Sequence, residues 1–156
     1  MTLKVYKYSD QLQLGQRAEQ DFINVIKESQ GVVLIKNNST NKFAPDYIFN
    51  GDSTLELKTD FTTLTGTFFF ERYSNLELKT DGGPWQSDKK HADYFAYWFK
   101  KTNEYYIFET PTLVNFLNEY ISKNNLKLKN VMNTDKITAG YSVPVTALTK
   151  IVMGNK

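Results

Sequence analysis

The chain has 156 residues but no cysteine, one histidine and four prolines. The absence of cysteine excludes disulfides and thiolate metal sites and makes an intracellular location the default expectation. No stretch of 18 apolar residues occurs, and no apolar run follows a basic start, so we expect neither a membrane span nor a signal peptide. The residues support no nucleophilic triad and no Walker-type phosphate loop.

The length predicts a single domain over residues 1–156. A net charge of +2 is too small to argue for nucleic-acid binding by itself. The distribution of charge is more informative, because residues 121–156 hold six lysines and one aspartate. This basic segment could meet phosphates, although a solvated lysine face explains it equally well.

Residues 45 to 58 predict a β-hairpin whose strands meet at an Asn-Gly turn. Residues two apart on a strand share a face, so Glu56 and Lys58 point the same way. An odd number of loop residues places Asp46 on that face and gathers the apolar side chains of both strands on the other. We therefore predict a three-residue loop with Gly51 in or beside the left-handed position, although Asn-Gly more often marks a two-residue turn.

Two carboxylates and an ammonium on one edge of a sheet suit metal-assisted phosphodiester hydrolysis. Asp46 and Glu56, with water and a phosphate oxygen, can complete the octahedral oxygen shell that Mg²⁺ requires, and Mn²⁺ is the expected substitute. We expect the Lys58 ammonium beside this pair, where it would hold the attacking water and neutralise developing charge. The Leu57 carbonyl is a further predicted ligand.

Pro45-Asp46 followed by Glu56-Leu57-Lys58 resembles the motif of the PD-(D/E)XK nuclease superfamily. Residues 65–71 are similar to a strand of its small phage-type members, with Thr67 in place of their Asn. Further similarity extends over most of residues 12 to 148. The resemblance implies a restriction-endonuclease-like α/β sandwich, with a central mixed sheet flanked by helices, and it implies DNA as substrate. It also implies a cytoplasmic protein, in the host cytoplasm if the chain is phage-encoded.

Leu12 to Ser29 predict a helix with Ser9 or Asp10 as N-cap and Gly31 as the stop. Glu19 lies within the apolar stripe of this helix, where an unpaired charge is costly. Either Glu19 pairs with a basic group, or it faces the hairpin and joins the metal site directly or through water. The superfamily expects such a glutamate, and archaeal Holliday-junction resolvases resemble the chain in their Gly-x-x-x-Glu opening.

The two hairpin strands and the strand that follows them are predicted to form a three-stranded meander. Glu71 lies at the end of the third strand. It could face the site as an extra ligand or base, or it could form an ion pair with Arg72 or a lysine. Leu76 to Asp81 repeat Leu55 to Asp60, so Glu77 and Lys79 are a second candidate pair. That copy lacks a Pro-Asp partner strand and lies beside a Gly-Gly-Pro segment, which favours an irregular, exposed loop.

This loop continues into a candidate nucleic-acid contact centred on Trp85, which could stack on a base or fold back on the core. The polar residues predicted to touch phosphates with it are Gln86, Ser87, Lys89 and Lys90. The single histidine, His91, is expected to face solvent or to cap a helix.

The preferred hypothesis is a Mg²⁺-dependent DNA nuclease, in the first place an endonuclease. Asp46 and Glu56 would bind the metal, Lys58 would hold the water, and Glu19 would contribute from the helix. A Holliday-junction resolvase and an exonuclease of the same fold stay open, as does a homodimer. A non-catalytic nucleic-acid-binding module is the alternative from another class, and a plain structural protein would leave Glu19 unexplained.

Overall fold

A computed structural model describes residues 8–37, 44–63, 66–133 and 135–156. The helices are α1 (Tyr8–Gln30), α2 (Gly83–Lys89) and α3 (Thr110–Lys123), and Val145–Ile151 form a 3-10 helix. The strands are β1 (Ile35–Lys36), β2 (Tyr47–Phe49), β3 (Ser53–Asp60), β4 (Thr67–Asn75), β5 (Thr80–Asp81), β6 (Tyr94–Phe99), β7 (Glu104–Glu109), β8 (Lys129–Met132), β9 (Ile137–Pro144) and β10 (Gly154–Asn155).

The first sheet has six strands in the order β1-β2-β3-β6-β7-β10. It is mixed, because β3 and β6 run parallel while the other neighbours are antiparallel. The second sheet is antiparallel, in the order β5-β4-β9-β8. The predicted mixed α/β sandwich is confirmed. The predicted meander is wrong, since β4 leaves the hairpin and pairs with β9 in the second sheet.

Two apolar cores lie on opposite faces of the first sheet. Helix α1 covers one face through Phe22 and Ile26, which pack with Tyr47, Leu55 and Trp98. The other face packs against the second sheet, α2 and α3 through a mainly aromatic cluster. Its buried rings are Phe68, Phe70, Trp85, Phe95, Tyr97, Phe99 and Phe108. Even-numbered residues of β3 point into this second layer, because Glu56 and Lys58 align with Phe95 and Tyr97 on the parallel neighbour.

Helix α1 ends as predicted. Gly31 adopts a positive φ of 67°, and its amide donates to the Lys27 carbonyl at 3.1 Å. The N-cap prediction is wrong, since Ser9 and Asp10 both lie inside the helix. No helix among the described residues is long and apolar enough to cross a membrane.

The predicted irregular loop at residues 76–90 is also wrong in its second half. Residues 83–89 form α2, which has Pro84 in its first turn and buries Pro84, Trp85 and Ser87. The Gly82-Gly83 pair predicts a loop, but in the structure it permits close packing against Glu71. A Cβ on Gly83 would lie 2.5 Å from the Glu71 carbonyl oxygen, and a Cβ on Gly82 would lie 2.6 Å from Glu71 Oε1.

Candidate active site

The β2–β3 hairpin has the predicted three-residue loop. Tyr47, Ile48 and Phe49 pair with Leu55, Thr54 and Ser53, which leaves residues 50–52 as the connection. Asn50 and Gly51 both adopt positive φ, at 50° and 91°. The odd loop length extends the register so that Asp46, just before β2, lies opposite Glu56. The two carboxylates therefore share one face.

Asp46 is fixed by the backbone of the neighbouring strand. The Leu57 amide donates to Asp46 Oδ2 at 2.8 Å, so the carboxylate accepts the hydrogen bond that a backbone carbonyl would accept if β2 were longer. The amide and carbonyl of one strand residue point to the same edge. The Leu57 carbonyl is thus directed toward the Asp46 side of β3, as a further oxygen ligand would need.

Both carboxyl groups resist ionisation. Burial raises the pKa of Glu56 to about 7, and the Asp46 carboxylate adds to the rise while Lys90 opposes it. Burial likewise raises the pKa of Asp46 to about 6, against the Leu57 hydrogen bond. Glu56 Oε2 is buried and has no hydrogen-bond partner among the described residues. A buried acceptor of this kind is costly unless a cation or a proton donor meets it.

The ammonium in contact with this pair belongs to Lys90. Its Nζ lies 3.6 Å from Glu56 Oε1, and the Lys90 side chain is only 11% exposed. The sequence predicts the Lys58 ammonium beside the pair, but Lys90 forms the ion pair with Glu56. The role of Lys58 in holding the attacking water stays a prediction. The sequence predicts Lys90 in a DNA-contacting loop, whereas Pro84 is a signal for the start of the helix that carries Lys90 to the site.

Lys58 extends into the same layer but acts on a different carboxyl group. Burial raises the pKa of Glu71, and the charges of Lys58 and Lys136 lower it. Arg72 is not the partner of Glu71, because it pairs with Asp81. Glu71 on β4 therefore lies within electrostatic reach of Lys58. The ion pair with Arg72 is excluded, and a role for Glu71 as an extra ligand or base stays a prediction.

Glu19 forms the ion pair that is one of the two roles the sequence leaves open, and its place at the metal site stays a prediction. Its Oε2 lies 3.1 Å from Lys36 Nζ, so the carboxylate is paired with a basic group. Its charge nevertheless raises the pKa of Asp46, which places Glu19 within electrostatic reach of the site. Tyr47 holds α1 in register with the hairpin, since its hydroxyl donates to the Glu19 carbonyl at 2.8 Å.

Most of the predicted nucleic-acid loop is buried or half-buried in α2, and Lys89 is its exposed member. Trp85 is 7% exposed, and its Nε1 donates to Asn118 Oδ1 at 2.9 Å, so base stacking by Trp85 is ruled out in this conformation. Ser87 is 2% exposed and donates to the Gly83 carbonyl. Lys89 pairs with Asp81, and Gln86 is half-buried within α2. The alternative, a tryptophan folded onto the core, is confirmed.

The duplicated Leu-Glu-Leu-Lys is a turn between β4 and β5. Glu77 and Lys79 are both exposed, and Lys79 has a positive φ of 50°. Among the described residues, no strand places an aspartate opposite Glu77 as the β2 hairpin places Asp46 opposite Glu56. The first copy is therefore the one that the fold builds into a site. His91 is exposed and follows α2 with a φ of 58°, which confirms its predicted capping or solvent-facing position.

The donor set fits a small hard cation. Within the described ranges no three His, Asp or Glu side chains form a group that could hold a metal ion. The converging oxygens are those of Asp46 and Glu56, with the Leu57 carbonyl on the same side and Glu56 Oε2 without a partner. Mg²⁺ characteristically uses one or two carboxylates and keeps several waters, so this pair is a sufficient protein contribution.

Comparison with known proteins adds no functional assignment to this geometry. The chain matches no protein-family model. It also matches no curated protein.

Proposed function

We propose that this protein is a Mg²⁺-dependent deoxyribonuclease, in the first place an endonuclease, that hydrolyses phosphodiester bonds of DNA at the Asp46–Glu56 site. The observation that carries the proposal is the odd-length hairpin. It holds two half-buried carboxylates together on one face, next to the Lys90 ammonium and with Glu56 Oε2 lacking a partner among the described residues. Mn²⁺ is the expected substitute for Mg²⁺.

The chain's own residues have separate tasks in this proposal. Asp46 and Glu56 bind the cation, and the Leu57 carbonyl adds a neutral oxygen. Lys58 holds the attacking water, while Glu71 positions the Lys58 ammonium from the opposite sheet. Glu19 tunes the charge of the site from α1. When bound, Mg²⁺ would lower the pKa of a water and neutralise charge on the phosphate.

The cost of the arrangement favours catalysis over simple binding. Two neighbouring buried carboxyls with raised pKa values destabilise a metal-free fold, and acidic groups repel the phosphates of DNA. A module that only binds nucleic acid gains nothing from this pair. A site for a divalent cation uses the two carboxylates as ligands. The pair would then be retained for function although it lowers stability.

The experiment that tests the function compares cleavage of supercoiled, linear, single-stranded and four-way-junction DNA in Mg²⁺ and in EDTA. Asp46→Asn, Glu56→Gln and Lys58→Ala should each lower the cleavage rate at least about a hundredfold. The first two should also abolish calorimetric Mg²⁺ binding while DNA binding stays equal or tightens. Lys58→Ala should still bind Mg²⁺.

The duplicated segment supplies matched controls. Glu77→Gln and Lys79→Ala alter the same residues of the same Leu-Glu-Leu-Lys string in an exposed turn, so they should cleave like the parent. Nicking of a closed circle identifies an endonuclease, and degradation only from ends identifies an exonuclease. Preference for the junction identifies a resolvase. Binding that EDTA does not affect, without cleavage of any substrate, contradicts the proposal in favour of the binding module.

A further inference from the structure

Lys90 is held at the carboxylate pair by the end of α2. The Ala92 amide donates to the Ser87 carbonyl at 2.9 Å, and the His91 amide donates to the Asp88 carbonyl at 3.1 Å. These two bonds, with His91 at a positive φ, form a Schellman motif that places Lys90 at the helix C-cap. Buried Ala92 anchors the turn to the core. The Lys90 backbone is therefore fixed by local structure.

The Lys90 charge acts on both predicted metal ligands. Its Nζ forms the ion pair with Glu56, and its charge also lowers the pKa of Asp46. Lys90 and Glu56 are 11% and 18% exposed, so solvent screens this interaction less than it would on the surface. Lys89, the preceding residue, is 74% exposed and pairs with Asp81 instead. Two adjacent lysines thus have entirely different environments.

From this arrangement, and resting on the proposed function, we propose that Lys90 is the built-in counter-ion of the carboxylate pair and competes with the divalent cation for Glu56. Its ammonium offsets one negative charge of the pair before metal arrives, and metal binding displaces it from Glu56. The displaced ammonium is then available to a phosphate of the DNA. Lys90 consequently sets a weak metal affinity and differs in role from Lys58.

The charge argument gives the sign of the effect. A cation entering the pair meets the repulsion of the Lys90 ammonium, which is felt strongly at a few ångströms in a partly buried site. Removing the ammonium removes that repulsion. The effect is compared at a pH at which Asp46 and Glu56 are both ionised. We therefore expect Lys90→Met to bind Mg²⁺ about tenfold more tightly than the parent, measured at pH 8.5 by isothermal titration calorimetry without DNA.

The same variant should be less stable without metal. In EDTA, Lys90→Met should melt at a lower temperature than the parent, because the carboxylate pair has lost its counter-ion. Added Mg²⁺ should raise its melting temperature more than it raises that of the parent. Lys89→Ala is the matched control and should match the parent in Mg²⁺ affinity. Lys90→Arg keeps the charge and should stay close to the parent.

The outcomes separate this inference from the proposed function. Parent-like Mg²⁺ affinity in Lys90→Met, with Asp46-dependent binding in the parent, overturns the role of Lys90 and leaves the nuclease proposal standing. Absence of Asp46-dependent Mg²⁺ binding in the parent overturns both. Should Lys90→Met fail to fold, Lys90→Gln takes its place. Affinity of Lys90→Gln above that of Lys90→Arg supports the inference, and equal affinities overturn it.

Discussion

At the scale of one residue, the position of Glu56 on β3 gives its carboxyl group an unusual pKa. Its side chain lies between two packed sheets, opposite Asp46, with one oxygen near Lys90 and the other without a partner among the described residues. Burial and the neighbouring charge raise its pKa to about 7. Glu77 has the same flanking residues but lies in an exposed turn. The chemistry therefore comes from the environment and not from the local string.

The raised pKa values predict a pH dependence of stability. Asp46 and Glu56 bind protons more tightly in the folded chain, so between about pH 4 and about pH 7 the folded state holds more protons than the unfolded state. The stability of the metal-free protein should therefore decrease as the pH rises through this window. Relative to Asp46→Asn/Glu56→Gln, the parent should lose on the order of 1–3 kcal/mol of unfolding free energy between pH 4 and pH 8.

Urea unfolding in EDTA at several pH values measures this difference. The double variant serves as the baseline, because it keeps every other titrating group. Mg²⁺ at pH 8 should restore stability to the parent and not to the variant. Parallel stability curves for the two proteins would show that the carboxyls are not perturbed in the folded state.

At the scale of elements, α1 and β1 deliver opposite charges to the edge of the site. Glu19 on α1 raises the pKa of Asp46, and Lys36 on β1 lowers it. The two side chains also pair with each other, at 30% and 40% exposure. An unpaired glutamate in the apolar stripe of α1 would reduce the stability of the fold. Lys36 compensates the Glu19 charge, so replacing Glu19 by Gln is not expected to raise the stability.

Glu19→Gln and Lys36→Gln break the same ion pair. Comparing them separates the effect of the pair on stability from its effect on the charge near Asp46. Each should lower the unfolding free energy by at most about 1 kcal/mol, because the pair is partly exposed. Glu19→Gln should weaken Mg²⁺ binding and cleavage severalfold by removing negative charge near Asp46, whereas Lys36→Gln should leave them equal or stronger. Calorimetry and plasmid nicking measure both. Equal losses of activity in the two variants would show that the Glu19–Lys36 ion pair has only a structural role.

At the scale of the whole molecule, the two sheets are joined by a buried polar link as well as by aromatic packing. The Tyr97 hydroxyl donates to Asp60 Oδ2 at 2.7 Å and accepts from the Phe69 amide at 3.1 Å. Burial opposes ionisation of Asp60, but hydrogen bonds from residues 62–63 and from Tyr97 outweigh it and lower its pKa. One hydroxyl thus connects β6, the end of β3 and β4.

Tyr97→Phe should destabilise the protein by roughly 2–4 kcal/mol, because it leaves a buried carboxylate oxygen and a backbone amide with one partner fewer. Tyr141→Phe is the control, since the Tyr141 hydroxyl makes no hydrogen bond to the described residues and its ring keeps the contact with Trp85. Thermal and urea unfolding measure the difference. Equal stability of the two variants would show that aromatic packing alone joins the sheets.

The sequence by itself determined the features that depend on local periodicity. Alternation in residues 45 to 58 and the parity of the loop predict the hairpin register that places Asp46 opposite Glu56, because a shift of one residue would move the apolar side chains to the wrong face. Gly31 predicts the end of α1. Each of these signals acts within a few residues.

Only the tertiary structure decided what meets the carboxylate pair. Strand β4 carries Glu71 into a second sheet, and α2 brings Lys90 to Glu56, where the sequence predicts Lys58. Gly82 and Gly83 indicate a loop by propensity, but they are required because Glu71 packs where a Cβ would lie. Contacts between residues far apart in sequence depend on how layers pack, and no local pattern encodes that packing.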